Sequence, residues 1–367
     1  MKGRIVGIIV LALIVAAALI WQFGFRKNAN IGTVLTGKTQ SVKGLIGSEK
    51  TGFLENEQVK SLLKSRFGIV VDYAKAGSIE MVRGAVGSDI DFLWPSSQVA
   101  LELYRISRDN ASVKSEIIFS SPIVLYSWDI VSDALVKQAI VQKQQDTYFI
   151  SDFHKLLTLD TGGKRWAEIG LPELYGKVSI ISTDPTKSNS GMMFAGLVAN
   201  VLNGDVVDET TVTPHLPTVR NLFARLGYMD NTTGVLFEQY LRAGVGSYPL
   251  IVGYENLIVE FALQHKDVWP KVKDKMRILY PVPTVWSSHP FISLSAAGTK
   301  LMEALKDPEL QKIAWEQHGF RTGLGGAQND PRLLPVAGIP ETVTKVIPMP
   351  TPQVMDTILA SIQGGSK

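Results

Sequence analysis

Residues 177–202 read KVSIISTDPTKSNSGMMFAGLVANVL, and three kinds of sequence follow one another in that stretch. Lys177–Ser182 is short and rich in β-branched residues, which predicts a strand. Thr183–Gly191 is small and polar with a proline inside it, the composition of a turn. Met192–Leu202 is apolar over about three helical turns, which predicts a helix. A strand that passes through a polar turn straight into a helix is the repeating unit of α/β proteins. Ser188, Asn189 and Ser190 stand where the helix begins, so free backbone N–H groups and the helix dipole there favour an anion. Gly191 lets the backbone approach a ligand closely. Ser and Asn are also the preferred N-caps of any helix, so a plain cap fits the same residues.

The order recurs upstream. Val42–Ile46 predicts a strand, followed by the turn Gly47-Ser48-Glu49-Lys50 and a helix over Glu55–Phe67 with Val59, Leu62, Leu63 and Phe67 at helical spacing. Ile69–Tyr73 predicts a second strand and Ser78–Gly84 a short helix. Ile90–Trp94 predicts a third strand, and Pro95-Ser96-Ser97 opens a helix over Gln98–Arg105. In open parallel sheets, ligands lie outside the carboxyl ends of the strands. Gly47, Ser48, Ser96, Ser97, Ser188, Asn189, Ser190 and Gly191 are therefore candidate ligand-binding residues. Further along, an extended stretch covers Ile117–Trp128, helices are expected around Asp133–Lys143, Asp152–Leu157, Thr218–Leu226, Thr233–Ala243 and Glu255–His265, and strands over Pro249–Gly253 and Met276–Pro281. An α/β architecture with mostly parallel sheets is the expectation.

Four places in this plan resemble the type 2 periplasmic solute-binding proteins of ABC transporters. They are the strand ending at Gly47-Ser48, the strand Ile90-Asp91-Phe92-Leu93-Trp94 ending at Ser96-Ser97, and the run Asp184-Pro185-Thr186-Lys187-Ser188-Asn189-Ser190-Gly191 into a helix. The fourth is the late helix-break-helix Leu301–Gln311 with Gly319-Phe320-Arg321. The resemblance covers roughly 42–323. It implies two lobes joined by two crossover strands, here near Ile123–Tyr126 and Val252–Gly253, that close on a solute between them. It implies lobe 1 from 42–125 with 254–330, lobe 2 from 126–253, and a C-terminal tail over 331–367. Tyr126 and Tyr254, beside those crossovers, are candidates to stack on or donate to the solute, and Glu255 to hold a cationic group. Lys50 and Lys187 are candidate charges for an anionic one; each is also read as a solvated surface lysine.

The N-terminus adds an address. Lys2 and Arg4 precede an uncharged apolar run from Ile5 to Phe25 that ends at Arg26-Lys27. That is about the 20 residues a helix needs to cross a bilayer, longer than the roughly 7–15 of a signal-peptide core. Trp21, Phe23 and Phe25 suit interfacial anchoring. Residues 1–27 are thus expected to be a signal anchor, and 28–41 a linker that lifts the globular part into the periplasm or extracellular space. The resemblance makes an ABC permease, or another membrane protein, the expected partner.

Composition excludes several alternatives. Apolar residues make up 45% and charged residues 19%, as in a folded domain. Setting Lys2 and Arg4 aside leaves 35 of the 37 basic residues against 34 acidic ones, no balance for a nucleic-acid binder. There are no cysteines, hence no disulfide, thiolate site or lipid-bearing cysteine. The histidines, His154, His215, His265, His289 and His318, are scattered without metal-ligand spacing, and there is no Gly-x-Ser-x-Gly elbow or phosphate loop. No catalytic residue, metal or cofactor is expected. The function expected is capture of a small polar solute, an anion among the candidates, by a membrane-tethered component of a transport system. The alternative is an anchored scaffold or sensor that reuses the fold.

Overall fold

The computed structural model describes residues 39–84, 87–108, 112–324 and 329–364. The expected N-terminal anchor and most of the linker lie outside them. Among the described residues no helix is long and apolar enough to cross a membrane.

Among the described residues nine strands carry the fold: β1 (Gln40–Ile46), β2 (Ile69–Lys75), β3 (Phe92–Trp94), β4 (Ser115–Trp128), β5 (Val141–Gln144), β6 (Thr147–Ile150), β7 (Leu250–Tyr254), β8 (Met276–Pro281) and β9 (Trp286–Ser293). Their order is β2-β1-β3-β9-β4-β8-β6-β5, with β7 also on β4. β4 is the spine. Its first half, to Pro122, pairs with β9, and its second half, from Ile123, pairs with β7 and β8. The chain thus passes from one lobe to the other along β4, near the first expected crossover. It returns from β8 to β9 through Val282–Val285, whereas β7 pairs within the second lobe alone. The second crossing is therefore not at Val252–Gly253.

Five of the eight ladders are antiparallel, which corrects the expectation of mostly parallel sheets. Strand-helix alternation dictates parallel pairing only within βαβ units such as β1, β2 and β3; a strand that changes lobes meets its neighbours head to tail. Lys177–Ser182 is not a strand either. It makes two isolated bridges, Lys177 with Arg165 and Ile181 with Ile251. The helix expected near Asp133–Lys143 runs over Asp129–Lys137, and Ala139 and Gln145, both at positive φ, then shape the β5–β6 hairpin.

Each lobe has its own core. The first gathers Val42, Ile46, Phe53, Val59, Phe92, Trp94, Phe119, Phe291, Leu301 and Phe320, with Phe119 stacked on Phe320 at 4.9 Å and edge-on to Phe53 at 4.9 Å. Fully burying each such side chain contributes about 1.5–3 kcal/mol. The second core runs from Ile123 through Val285 and also takes Val336, Ile339, Val354, Met355 and Ile358. Two boundaries shift accordingly. Asn256–Val285, expected in the first lobe, packs in the second, because Leu257, Ile258, Val259, Trp269, Ile278 and Leu279 join its core. The tail is part of that core rather than an appendage. Its last helix, Pro352–Gln363, lies on the helices Asn189–Asn203 and Leu216–Ala224 of the second lobe and on Gln98–Ile106 of the first.

The late helix-break-helix closes the first lobe. Asp307 caps Pro308–His318, and Gly319 ends it at φ 68°. A side chain there would lie 2.8 Å from Val259, so both the left-handed turn and the close approach require glycine.

Candidate functional site

A cleft of about 540 Å³ opens between the lobes. Gly47–Glu49 and Lys75–Glu80 line it from the first lobe, Pro185–Asn189, Met192 and Asn231–Thr233 from the second, and Tyr254 from the end of β7. The lobes touch across it. A side chain on Gly77 would meet the Lys187 carbonyl at 3.1 Å, and the Asn189 amide donates to the Ser96 carbonyl at 2.9 Å.

The first-lobe wall begins where β1 ends. Gly47 donates to the Trp94 carbonyl at 3.3 Å, and a single 3-10 turn over Ser48–Lys50 follows. Lys50 turns inward. It is fully buried and donates to Ser96 Oγ at 2.8 Å and to the Glu49 carboxylate, with its ammonium 5.7 Å from the Trp94 ring. Lys50 is therefore neither a solvated surface lysine nor part of the cleft lining. Glu49 Oε1 also accepts from Ser96 Oγ and faces the His289 ring at 3.5 Å. Burial alone would raise the Glu49 carboxyl, but Lys50 above all, then His289 and Ser96, outweigh it and hold it at about 2. Burial, aided by Lys50, pushes His289 down to about 3 against the pull of Glu49, so its ring is neutral at physiological pH.

The second-lobe wall is a chain of hydroxyls. Ser190 Oγ lies 2.9 Å from Thr183 Oγ1, 2.6 Å from Thr233 Oγ1 and 3.2 Å from Ser188 Oγ. Asp184 folds the turn before them, accepting from the Thr186 amide at 2.9 Å and hydroxyl at 2.7 Å. Ser188 is the N-cap of Asn189–Asn203, yet its side chain makes no capping bond. Asn189 Nδ2 donates to the Ser96 carbonyl and, at 3.0 Å, to Tyr254 Oη. Burial raises the Tyr254 hydroxyl far above its usual range.

Of the residues singled out in the sequence, Gly47, Ser48, Ser188, Asn189 and Tyr254 share this lining. Lys187 lines it as well, and the others stand behind it. Ser96 is buried against Glu49 and Lys50; Ser97 caps Gln98–Ile106 through the Val99 amide at 3.1 Å. Ser190 belongs to the hydroxyl chain. A side chain at Gly191 would come within 2.4 Å of the Thr183 carbonyl, so this glycine lets turn and helix pack. Tyr126 donates to the Tyr254 carbonyl and accepts from the Ile258 amide at 3.3 Å. Glu255 is fully buried against Arg321, at 2.7 and 3.0 Å, and the Tyr280 hydroxyl, at 2.6 Å; its carboxylate already has its cation. Lys187 stays 59% exposed, 3.5 Å from Asp184.

No family model and no curated protein matches the sequence. Solved structures match it in shape. The ferric binding protein from Campylobacter jejuni superposes with a TM-score of 0.56 at 11% identity, over 89% of this chain and 99% of that one. The substrate binding protein of an ABC transporter from Agrobacterium tumefaciens gives 0.54 at 15% identity, over 90% and 96%. The chain carries the type 2 solute-binding fold. The sulfate-binding protein SubI from Mycobacterium tuberculosis, at 16% identity, gives 0.50 over 88% and 96%.

In this solute-binding fold, sequence reasoning passed over Glu49, Lys75–Glu80 and Asn231–Thr233. The strand-end rule reaches the second group, since Ala76-Gly77-Ser78 follows β2 as Gly47-Ser48 follows β1. Thr232 at the head of a helix marks the third. Nothing in the order Gly-Ser-Glu-Lys tells which of its two charges turns inward. Among the described residues no group of acidic and histidine side chains is placed to hold a metal.

Proposed function

We propose that this chain binds a small polar solute in the inter-lobe cleft and does no chemistry on it. The observation that carries this reading is the cleft itself, lined by strand-end turns of both lobes and crossed by the Asn189–Ser96 hydrogen bond. Motion about β4 and the β8–β9 connection would open and close it. The fold neighbours, which include an ABC-transporter binding protein and a sulfate-binding protein, support a substrate-binding component of a transport system. The apolar run Ile5–Phe25 supports a tether that holds the binding domain outside the cytoplasmic membrane, beside a permease. In this reading Gly47, Ser48, Ser188, Asn189 and Tyr254 touch the solute, while Ser96, Ser97, Ser190, Gly191, Tyr126 and Glu255 hold the walls.

A second reading is favoured by the tail. Its helix Pro352–Gln363 rests on both lobes, and Asp356 pairs with Arg83 of the first lobe at 2.6 Å. A strap of that kind suits a sensor or scaffold that stays closed. One experiment separates the two: thermal denaturation of the full chain against sulfate, phosphate, ferric citrate, amino acids, polyamines and sugars. A ligand at 100 times its Kd stabilises the native state by about 2.7 kcal/mol, which moves the midpoint by several degrees. A solute that does so supports capture; a flat panel refutes it and leaves the scaffold.

A further inference from the structure

The inner end of the cleft presents hydrogen-bond acceptors that have no donor. Glu49 is 9% exposed and lines the cavity. Lys50, Ser96 and the His289 ring all converge on its Oε1. Among the described residues no donor reaches Oε2. Asn189 shows the same asymmetry. Its Nδ2 is fixed toward the Ser96 carbonyl, which can only accept, so the amide orientation follows from chemistry. Its Oδ1 is then left buried without a partner. A buried acceptor without a donor is costly and in a native protein calls for an explanation. Asn189 Oδ1 is such an acceptor; Glu49 Oε2, also without a donor, belongs to the opposite wall of the same cavity, and a ligand that brings N–H groups would satisfy both.

Resting on the solute-binding reading, we propose that the solute carries a primary ammonium group, donated to Glu49 Oε2 and Asn189 Oδ1. A free oxyanion would bring further lone pairs against these two oxygens and leave both without a donor. The cations of the cleft do not offset that. Lys50 is committed to Glu49 and Ser96, while Lys75 and Lys187 are exposed on opposite lobes. A quaternary ammonium has no N–H to give, so trimethylated analogues are excluded by the same geometry. The carboxylate keeps its charge well below neutral pH, so the ammonium is held through the whole physiological range.

The test is calorimetric titration of the full chain with glycine, lysine, γ-aminobutyrate and putrescine, with their trimethylated counterparts, and with sulfate and phosphate. The expected result is binding of at least one primary amine and loss of at least tenfold in affinity on trimethylation. Glu49→Gln should weaken that amine at least tenfold. Because this variant strands the buried Lys50, the double variant E49Q/K50M, neutral at the same two positions, is measured beside it. It should keep the far-ultraviolet circular dichroism of the wild type and lose the amine. Binding of sulfate or phosphate without any amine, or an amine whose affinity survives in E49Q/K50M, overturns this inference and leaves solute capture standing. Failure of every probe overturns the amine together with the capture reading.

Discussion

Replacing Arg321 by Met should cost more stability than any surface change. Its guanidinium is 6% exposed and faces a Glu255 that is fully buried. The two hydrogen bonds to the carboxylate, at 2.7 and 3.0 Å, would go together. Glu255 would keep only the Tyr280 hydroxyl, and breaking a buried pair at one end costs about 3–5 kcal/mol. The Pro340 and Glu341 carbonyls also lose their donor, at 2.6 and 2.8 Å, but Glu341 lies at the surface where water replaces it, so little is added. The double variant E255Q/R321M leaves no charge behind and should recover at least about 2 kcal/mol of the loss, since a neutral replacement of a buried pair is often tolerated. The coupling energy of the double-mutant cycle isolates the pair. Urea unfolding of the full chain, followed by circular dichroism and fitted with a common slope, measures all four species. If R321M unfolds within 1 kcal/mol of the wild type, or the two substitutions simply add, the pair does not hold this junction and the reasoning fails.

Two further outcomes test the walls of the cleft. Gly191→Ala places a methyl group 2.4 Å from the Thr183 carbonyl, whereas at Gly234 nothing lies within 4 Å. The first should destabilise by about 1–3 kcal/mol and the second be neutral or gain up to about 1 kcal/mol; equal urea midpoints would sink the packing argument. Acid should weaken the fold in two steps. His289 is held at about 3, well below an unfolded value near 6.5, so its contribution is present above pH ~6.5 and is lost as pH falls toward 3. Glu49, at about 2 against the usual value near 4.5, adds a second loss between those limits. The urea midpoint should therefore fall from pH 6.5 to 4, and His289→Gln should flatten that slope; an unchanged slope would mean that His289 titrates normally.

The sequence made some of this legible for physical reasons that differ by element. Thr233–Ala243 and Met276–Pro281 fall where their patterns place them, because each is bounded by its own caps or turns. The β5–β6 hairpin escaped, since Ala139 and Gln145 adopt positive φ without glycine and so leave no turn signature. The direction of β4 was hidden as well. An apolar strand reads the same whether it stays in one lobe or crosses to another. In the cleft, the serine and asparagine turns were visible because strand ends and helix starts select small polar residues. Which of them face the cavity depends on tertiary partners: Ser96 and Ser188 are chemically alike, yet one is enclosed by Lys50 and Glu49 and the other lines the opening. Glu255 was misjudged because its partner Arg321 lies 66 positions away.

The path of the tail has a consequence for how the molecule is made. The second core is built from residues 123–285 but sealed by Val354, Met355 and Ile358, and the first core waits for Phe291–Phe320 to join Val42–Phe119. A chain leaving the ribosome therefore exposes an unfinished second core until Val354, Met355 and Ile358 have been added. Each core is thus closed by contacts between residues far apart in sequence, the kind of topology that folds slowly.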